Sequence, residues 1–272
     1  MPSQPTTRIE ARFRDLRAKN AKGLIVYVTA GDPNLDATGE LIAALDRAGV
    51  DVIELGVPFS DPLADGPVIQ RASERALRAG ATLRKLLEWL PRWRESVHAP
   101  IVLFTYFNPV LRYGLRAFAA DARRAGADGA LVVDLTPEEA EADRSAKRAE
   151  NLATSVLGAP TSPDERLKRA AGLSTGFFYL ISRAGVTGER AEVASTGLAL
   201  VERARRITTL PLAVGFGISR PEHVRQVQAQ ADAAVVGSAV VHTIEERYSS
   251  GGAAAIEKFV RWLKEGTGSE FA

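Results

Sequence analysis

The stretch DVIELGVPFSDPLADGPVIQ, Asp51 to Gln70, passes from an apolar strand through a Pro-rich loop into the start of a helix. Its strand half carries Glu54, and its loop carries Asp61 and Asp65. Loops of this length lie on the surface, and prolines reduce the freedom a loop loses on folding. Fixed acids at the mouth of a strand are what a proton-transfer site needs.

The same strand–turn–helix order recurs outward in both directions. Apolar runs occupy Leu24–Thr29, Asp51–Leu55, Ile101–Tyr106, Gly129–Val133, Ala153–Leu157, Phe177–Ile181, Leu212–Gly215 and Ala233–Gly237, eight in all. Several are continuous rather than alternating, which suits parallel strands covered on both faces. Between them Leu41, Ile42 and Leu45 share one helical face, as do Ile256, Phe259, Val260 and Leu263. Thr136, Ser162 and Ser219 each stand three residues before a Glu, the spacing of a capping box at a helix start. Eight such units in 272 residues predict a (β/α)8 TIM barrel of the α/β class, with an extra helix over residues 7–20. The alternative, an open doubly wound sheet, would place ligands at a topological switch point. The helix expected between Pro137 and Ala149 would bury mostly alanine. No linker or low-complexity tract interrupts the chain, so residues 1–272 read as one barrel domain.

Composition narrows the function. The net charge is +2, with basic residues scattered among acids, which argues against nucleic-acid binding. There is no cysteine, hence no disulfide framework, thiolate nucleophile or Cys-based metal site. The first twenty residues are polar and no later stretch is long enough to span a membrane, so a cytoplasmic location is expected.

Barrel enzymes place their sites at the carboxyl ends of strands. Those positions hold Asp32, Glu54, Asp61, Asp65, Tyr106, Asn108, Asp134, Arg183 to Gly188, and two glycine turns, Gly215-Phe216-Gly217 and Gly237-Ser238. All lysines fall on helices or ahead of strands, which disfavours a Schiff-base aldolase. The three histidines, His98, His223 and His242, have no ligand spacing, which disfavours a catalytic zinc. Acid–base work by carboxylates remains.

The glycine turns fall where barrels often bind phosphate, after strands seven and eight, although they serve equally as tight strand-to-helix turns. Glu54 is read as pointing into the barrel mouth, where partial desolvation would raise its pKa; an ion pair with a neighbouring strand is the structural alternative. Asp65, before Gly66-Pro67, reads equally as a helix cap and as a site residue. Asp61 and Asp32 read first as turn formers. Tyr27, Phe59, Phe104, Tyr106, Tyr179 and Phe216 stand where they would line a slot for a flat substrate. Singly each reads as core, except Phe216, which glycines bracket.

LIVYVTAGDP at Leu24–Pro33, ELGVPFSDPLADGP at Glu54–Pro67, SRAGVTG at Ser182–Gly188, GFGIS at Gly215–Ser219 and VGSAVV at Val236–Val241 together resemble the tryptophan synthase alpha chain family. The resemblance implies a barrel that cleaves indole-3-glycerol phosphate by a retro-aldol reaction without a metal or organic cofactor. It makes Glu54 the general acid–base residue and Asp65 the carboxylate at the indole N–H. It makes Tyr179, Thr187, Gly188, Gly217, Gly237 and Ser238 substrate and phosphate contacts, and Tyr27 a pocket wall where many members have phenylalanine. It implies a mobile lid over Arg183–Thr196 and a pyridoxal-phosphate beta chain as partner in an alpha2-beta2 assembly. That partner would dock on the rim that holds Asp61-Pro62 and Asn108-Pro109. Other readings are a stand-alone indole-releasing lyase, a catalytically silent activator of a beta chain, and another phosphate-binding barrel. The indole-glycerol-phosphate synthase reading would require lysines at strand ends.

Overall fold

Every apolar run of the sequence contains strand, and all the strand pairings are parallel. The computed structural model describes residues 7–181, 190–215, 217–266 and 271. In chain order its elements are α1 (Arg8–Ala18), β1 (Gly23–Thr29), α2 (Leu35–Arg47), β2 (Val52–Gly56), α3 (Pro67–Arg78), α4 (Leu83–Arg94), β3 (Ile101–Thr105), α5 (Phe107–Tyr113) and α6 (Leu115–Ala125). There follow β4 (Gly129–Val132), α7 (Glu141–Ala149), β5 (Ala153–Ser155), β6 (Leu157–Gly158), α8 (Asp164–Leu173), β7 (Phe178–Ile181), α9 (Arg190–Ile207), β8 (Leu212–Gly215), α10 (Pro221–Gln228), β9 (Ala233–Val236) and α11 (Ser238–Glu265).

The sheet order is β5-β4-β3-β2-β1-β9-β8-β7-β6. Because β5 and β6 are consecutive pieces of one run, the sheet curls into a (β/α)8 barrel with its seam at Val156. Side chains from the turn before β7 supply hydrogen bonds at that seam. The Thr154 N–H donates to Thr175 Oγ1 at 2.9 Å, and the Val156 N–H donates to Ser174 Oγ at 3.0 Å.

Strand parity makes two cores. One set of side chains packs outward against the helices; the other fills the barrel with Ile25, Val52, Val102, Leu131, Phe177, Ala213, Ala233 and Val235. The extra helix α1 closes the barrel's amino end by adding Ile9 and Phe13 to that inner core. Its start is fixed by a capping box in which Thr7 and Glu10 exchange hydrogen bonds. Gly176, at φ +81°, leaves room for Ile9: a Cβ there would lie 2.8 Å from Ile9 Cγ2.

The amino ends of three strand pairs are stapled alike. The carboxylates of Asp51, Asp128 and Asp232 accept the N–H of Leu24 at 2.8 Å, of Ile101 at 3.0 Å and of Leu212 at 2.8 Å. Cations surround them: Arg12 lies 3.9 Å from Asp51, Arg94 3.3 Å from Asp128, and Arg205 2.6 Å from Asp232.

Two local expectations are corrected. None of the capping boxes expected at Thr136, Ser162 and Ser219 forms; the N-caps are Ala140, Pro163 and Arg220. A proline follows in each segment, and at α10 it takes the first helical position, which moves the cap past Ser219. Helix α7 begins at Glu141 and buries Asp143 and Lys147 as well as Ala146. Lys147 Nζ meets Asp143 Oδ2 at 2.6 Å and donates to the Ala130 carbonyl at 3.2 Å. Among the described residues no helix is long and apolar enough to cross a membrane.

Removing one partner of a buried ion pair strands the other charge, at a cost of ~3–5 kcal/mol. Lys147→Met is therefore expected to lower unfolding free energy by about that much. The double change Asp143→Leu/Lys147→Met should restore most of it, as read from urea denaturation of both variants.

Candidate active site

Strand parity that fills the barrel with Val52 also turns Glu54 inward, one layer higher. Its register partners are Tyr27 on β1 and Val102 on β3. The side chain is buried, with the residue only 1% exposed, and its Oε1 has no hydrogen-bond partner. Desolvation pushes the Glu54 carboxyl up to about 8. Among the described residues no cation pairs with it, so the ion pair that would have made Glu54 structural is not seen there.

Asp65 arrives from the loop between β2 and α3. It does not cap α3, whose N-cap is Gly66 without a side-chain bond. Instead Tyr106 donates its hydroxyl proton to Asp65 Oδ2 at 3.0 Å and accepts the Ala64 N–H at 3.0 Å. Burial raises the Asp65 carboxyl to about 6, and the Tyr106 hydrogen bond opposes that rise. The two acids are thus tuned differently. At neutral pH Glu54 is mainly protonated and Asp65 mainly ionised, the split that separates an acid from an electrostatic partner.

Aromatic rings wall the space around them. Tyr27 and Phe104 meet edge to face with centroids 5.3 Å apart, and Phe59 lies 5.0 Å from Tyr106. The Tyr27 hydroxyl is 3.3 Å from Thr29 Oγ1, which supplies the partner that a buried phenol requires. It fits only because Gly56 has no side chain; a Cβ there would collide with it. Tyr179 stands on β7 close enough to Glu54 and Asp65 for both charges to add to the desolvation that raises its phenol.

The glycine turns follow at the ends of β8 and β9. Gly217 takes φ +65°, and Gly237 is the N-cap of α11, with Ser238 exposed at its first position. A Cβ on Gly237 would sit 3.5 Å from Tyr27 Cβ, so this turn borders the aromatic wall.

Glu54, Asp65, Tyr27, Phe104 and Tyr179 are therefore gathered at one end of the barrel, with Gly237 beside them. Asp134 and Asp32 serve elsewhere: Asp134 accepts the Phe107 N–H at 2.7 Å, and Asp32 pairs with Arg75. Thr187, Gly188 and Phe216 lie outside the described residues, as does the first part of the Arg183–Thr196 segment; from Arg190 that segment is the start of α9. Sequence reasoning placed Tyr106 only as a slot wall. Its bond to Asp65 spans 41 positions, and its place just beyond β3 was the one available signal. Among the described residues no group of His, Asp and Glu is placed to hold a metal ion.

A parallel barrel with differently tuned carboxylates at the carboxyl ends of its strands defines an acid–base barrel enzyme. Residues 13–267 match the sequence profile of the family described as Tryptophan synthase alpha chain. The tryptophan synthase alpha chain of Solibacter usitatus is 52% identical over 97% of this chain and 99% of its own length. That of Geobacter sulfurreducens is 45% identical over 97% of this chain and all of its own. Among solved structures, the alpha subunit from Legionella pneumophila str. Paris superposes with a TM-score of 0.87 at 35% identity, covering 97% of this chain and 100% of that one. The tryptophan synthase complex from Pyrococcus furiosus gives 0.81 at 41% identity, covering 90% and 98%. The chain belongs to the tryptophan synthase alpha chain family.

A carboxyl group raised by folding binds its proton more tightly in the folded state. The folded state then loses stability as pH climbs from the ordinary 4.5 to about 8, and the loss is complete above that. Glu54→Gln removes this titration. It should raise the melting temperature over the parent at about pH 9 and much less at about pH 5, as read by thermal unfolding at both.

Proposed function

We propose that Glu54 and Asp65 carry out in this chain the reaction of its family, the lyase cleavage of indole-3-glycerol phosphate to indole and glyceraldehyde-3-phosphate. The observation that carries the assignment is the buried Glu54 carboxyl, whose Oε1 has no hydrogen-bond partner, at the same end of the barrel as an Asp65 held separately by Tyr106. Breaking the bond between indole C3 and the glycerol chain needs an electron sink. Protonated Glu54 donates to C3, which turns the ring into an indolenine cation, and the Asp65 carboxylate stabilises the positive charge at the ring N–H. The Glu54 carboxylate so formed takes the proton of the glycerol hydroxyl. That electron pair becomes the aldehyde carbonyl, the carbon–carbon bond breaks, and its electrons restore the indole ring. No net proton is consumed.

Tyr27, Phe104 and Tyr179 fit the flat ring. Gly217, Gly237 and Ser238 fit the phosphate, because glycine turns leading into helix starts present N–H groups to an anion. Phe216, Thr187 and Gly188 belong to the same assignment from the family pattern. Glu54→Gln is expected to cut indole release by at least ~10²-fold while substrate binding survives, and Asp65→Asn to cut it comparably. Near-normal turnover in either variant would remove that residue from the mechanism. Activity should fall as pH rises through about 8, where Glu54 loses its proton.

The family works with a beta chain, and the rim around this site supports docking there. Among the described residues the exposed large hydrophobic side chains are Leu63, 91% exposed in the Asp65 loop, and Leu111, 56% exposed on α5. They follow the two rim segments Asp61-Pro62 and Asn108-Pro109. Apolar side chains left this bare at a site's edge fit a partner surface. Leu111→Glu would bury a charge in that interface and is expected to weaken beta-chain association about tenfold, ~1.4 kcal/mol, by calorimetric titration. Indole release that rises sharply when a beta chain is added would set the two-subunit enzyme apart from a stand-alone lyase, and any release from the chain alone would rule out a silent activator.

A further inference from the structure

Helix α3, which continues from the Asp65 loop, and helix α11, which starts at the Gly237 turn, are fastened together by side chains outside the site. Arg75 of α3 grips Asp32 with a two-pronged pair, Nε to Oδ1 at 2.8 Å and Nη2 to Oδ2 at 2.8 Å. Asp32 lies in the loop after β1 and is only 3% exposed. The remaining prong of Arg75, Nη1, reaches Glu245 Oε1 on α11 at 2.7 Å. Arg71, one turn earlier, makes its own fork on Glu245 at 3.1 and 2.9 Å. His242 Nδ1 stands 3.8 Å from the same carboxylate.

The fastening lies below the amino ends of both helices. There the chain changes from ion pairs to contacts that border the site. Tyr27, Ala72 and Val241 pack together, and Ile69 Cδ1 is 3.8 Å from where a Gly237 Cβ would be. Gln70 Nε2 donates to the Asp65 carbonyl at 2.8 Å, which ties the loop to the first turn of α3. No side-chain cap adds to these contacts at the start of α3. Forked guanidinium–carboxylate pairs have a fixed planar geometry, so they set the relative position of the elements they join.

We propose that Arg75 is a positioning residue. By holding Asp32 and Glu245 together it keeps α3, and with it Asp65, at a fixed distance from the anion-binding turn that opens α11. A substrate anchored by its phosphate then meets the Asp65 carboxylate at its ring nitrogen. The proposal rests on the site assignment above. It gives a role in the reaction to a charge cluster that touches no substrate.

The test is a double-mutant cycle in the full-length chain with the beta chain present, using Arg75→Met, Arg75→Lys, Asp65→Asn and Arg75→Met/Asp65→Asn. Thermal unfolding verifies that each is folded at the assay temperature. Arg75→Met is expected to lower kcat about 10- to 100-fold, with inhibition by glycerol 3-phosphate, a probe of the phosphate end alone, barely changed. Arg75→Lys should recover part of the loss, because an ammonium group cannot fork. In the Asp65→Asn background the Arg75→Met change should cost almost nothing more, since the group it positions has already gone. If Arg75→Met does not fold, Glu245→Gln replaces it in the same cycle. Losses that multiply, or an Arg75 variant with unchanged kcat, overturn the positioning role and leave the site assignment standing. An Asp65→Asn variant with normal kcat overturns both.

Discussion

Filling the barrel from its amino end is the constraint on which the rest of the molecule depends. Ile9 and Phe13 rise from α1 into a stack of side chains that continues through Val52 and Val102 to Tyr179. Each large apolar group sealed there contributes ~1.5–3 kcal/mol. The gain is large enough to carry one carboxyl with an unsatisfied oxygen, which costs ~1–3 kcal/mol or more. Glu54 is that carboxyl, and the dry packing beneath it is the reason it keeps its proton at neutral pH. Loosening α1 would admit water below Glu54 and lower its pKa without touching any residue at the site.

The same residue types meet opposite fates at the two ends of the barrel. At the amino end Asp51, Asp128 and Asp232 each accept a strand N–H and have a cation within 3.9 Å, so their charge is used to hold strands together. At the carboxyl end Glu54 has no cation partner among the described residues, and Asp65 has a phenol. A guanidinium beside either acid would stabilise its charge and pull the two pKa values down together. The separation between about 8 and about 6 comes from the deeper desolvation of Glu54 and from the Tyr106 hydrogen bond that opposes the rise at Asp65, while the arginines of α3 pair with Asp32 and Glu245.

The strands were legible because parallel strands buried on both faces leave continuous Val/Ile runs, and all eight runs lie in the barrel. Glu54 was legible too, since strand parity turns it inward. Local signals failed where a neighbour overrode them. Thr136, Ser162 and Ser219 have the right spacing for capping boxes, but the prolines beside them redirect the chain. The face of α7 that was expected to bury mostly alanine also buries an Asp143–Lys147 pair, which reads in sequence like any solvated charge pair four apart. Residues that meet only through folding were not legible. Tyr106 finds Asp65 across 41 positions, and Arg75 finds Glu245 across 170.

The break at Val156 has a mechanical consequence. The strands beside it are three and two residues long, while β1 on the opposite side is seven residues long. Side-chain hydroxyls at the seam replace part of a continuous ladder, so amide exchange by local opening should be fastest there. Glu54 on β2 stands on the well-stapled side, with the Asp65 loop following it, and Tyr179 on β7 borders the seam. The barrel can therefore breathe along one wall while Glu54 and the Asp65 loop remain on the wall that does not.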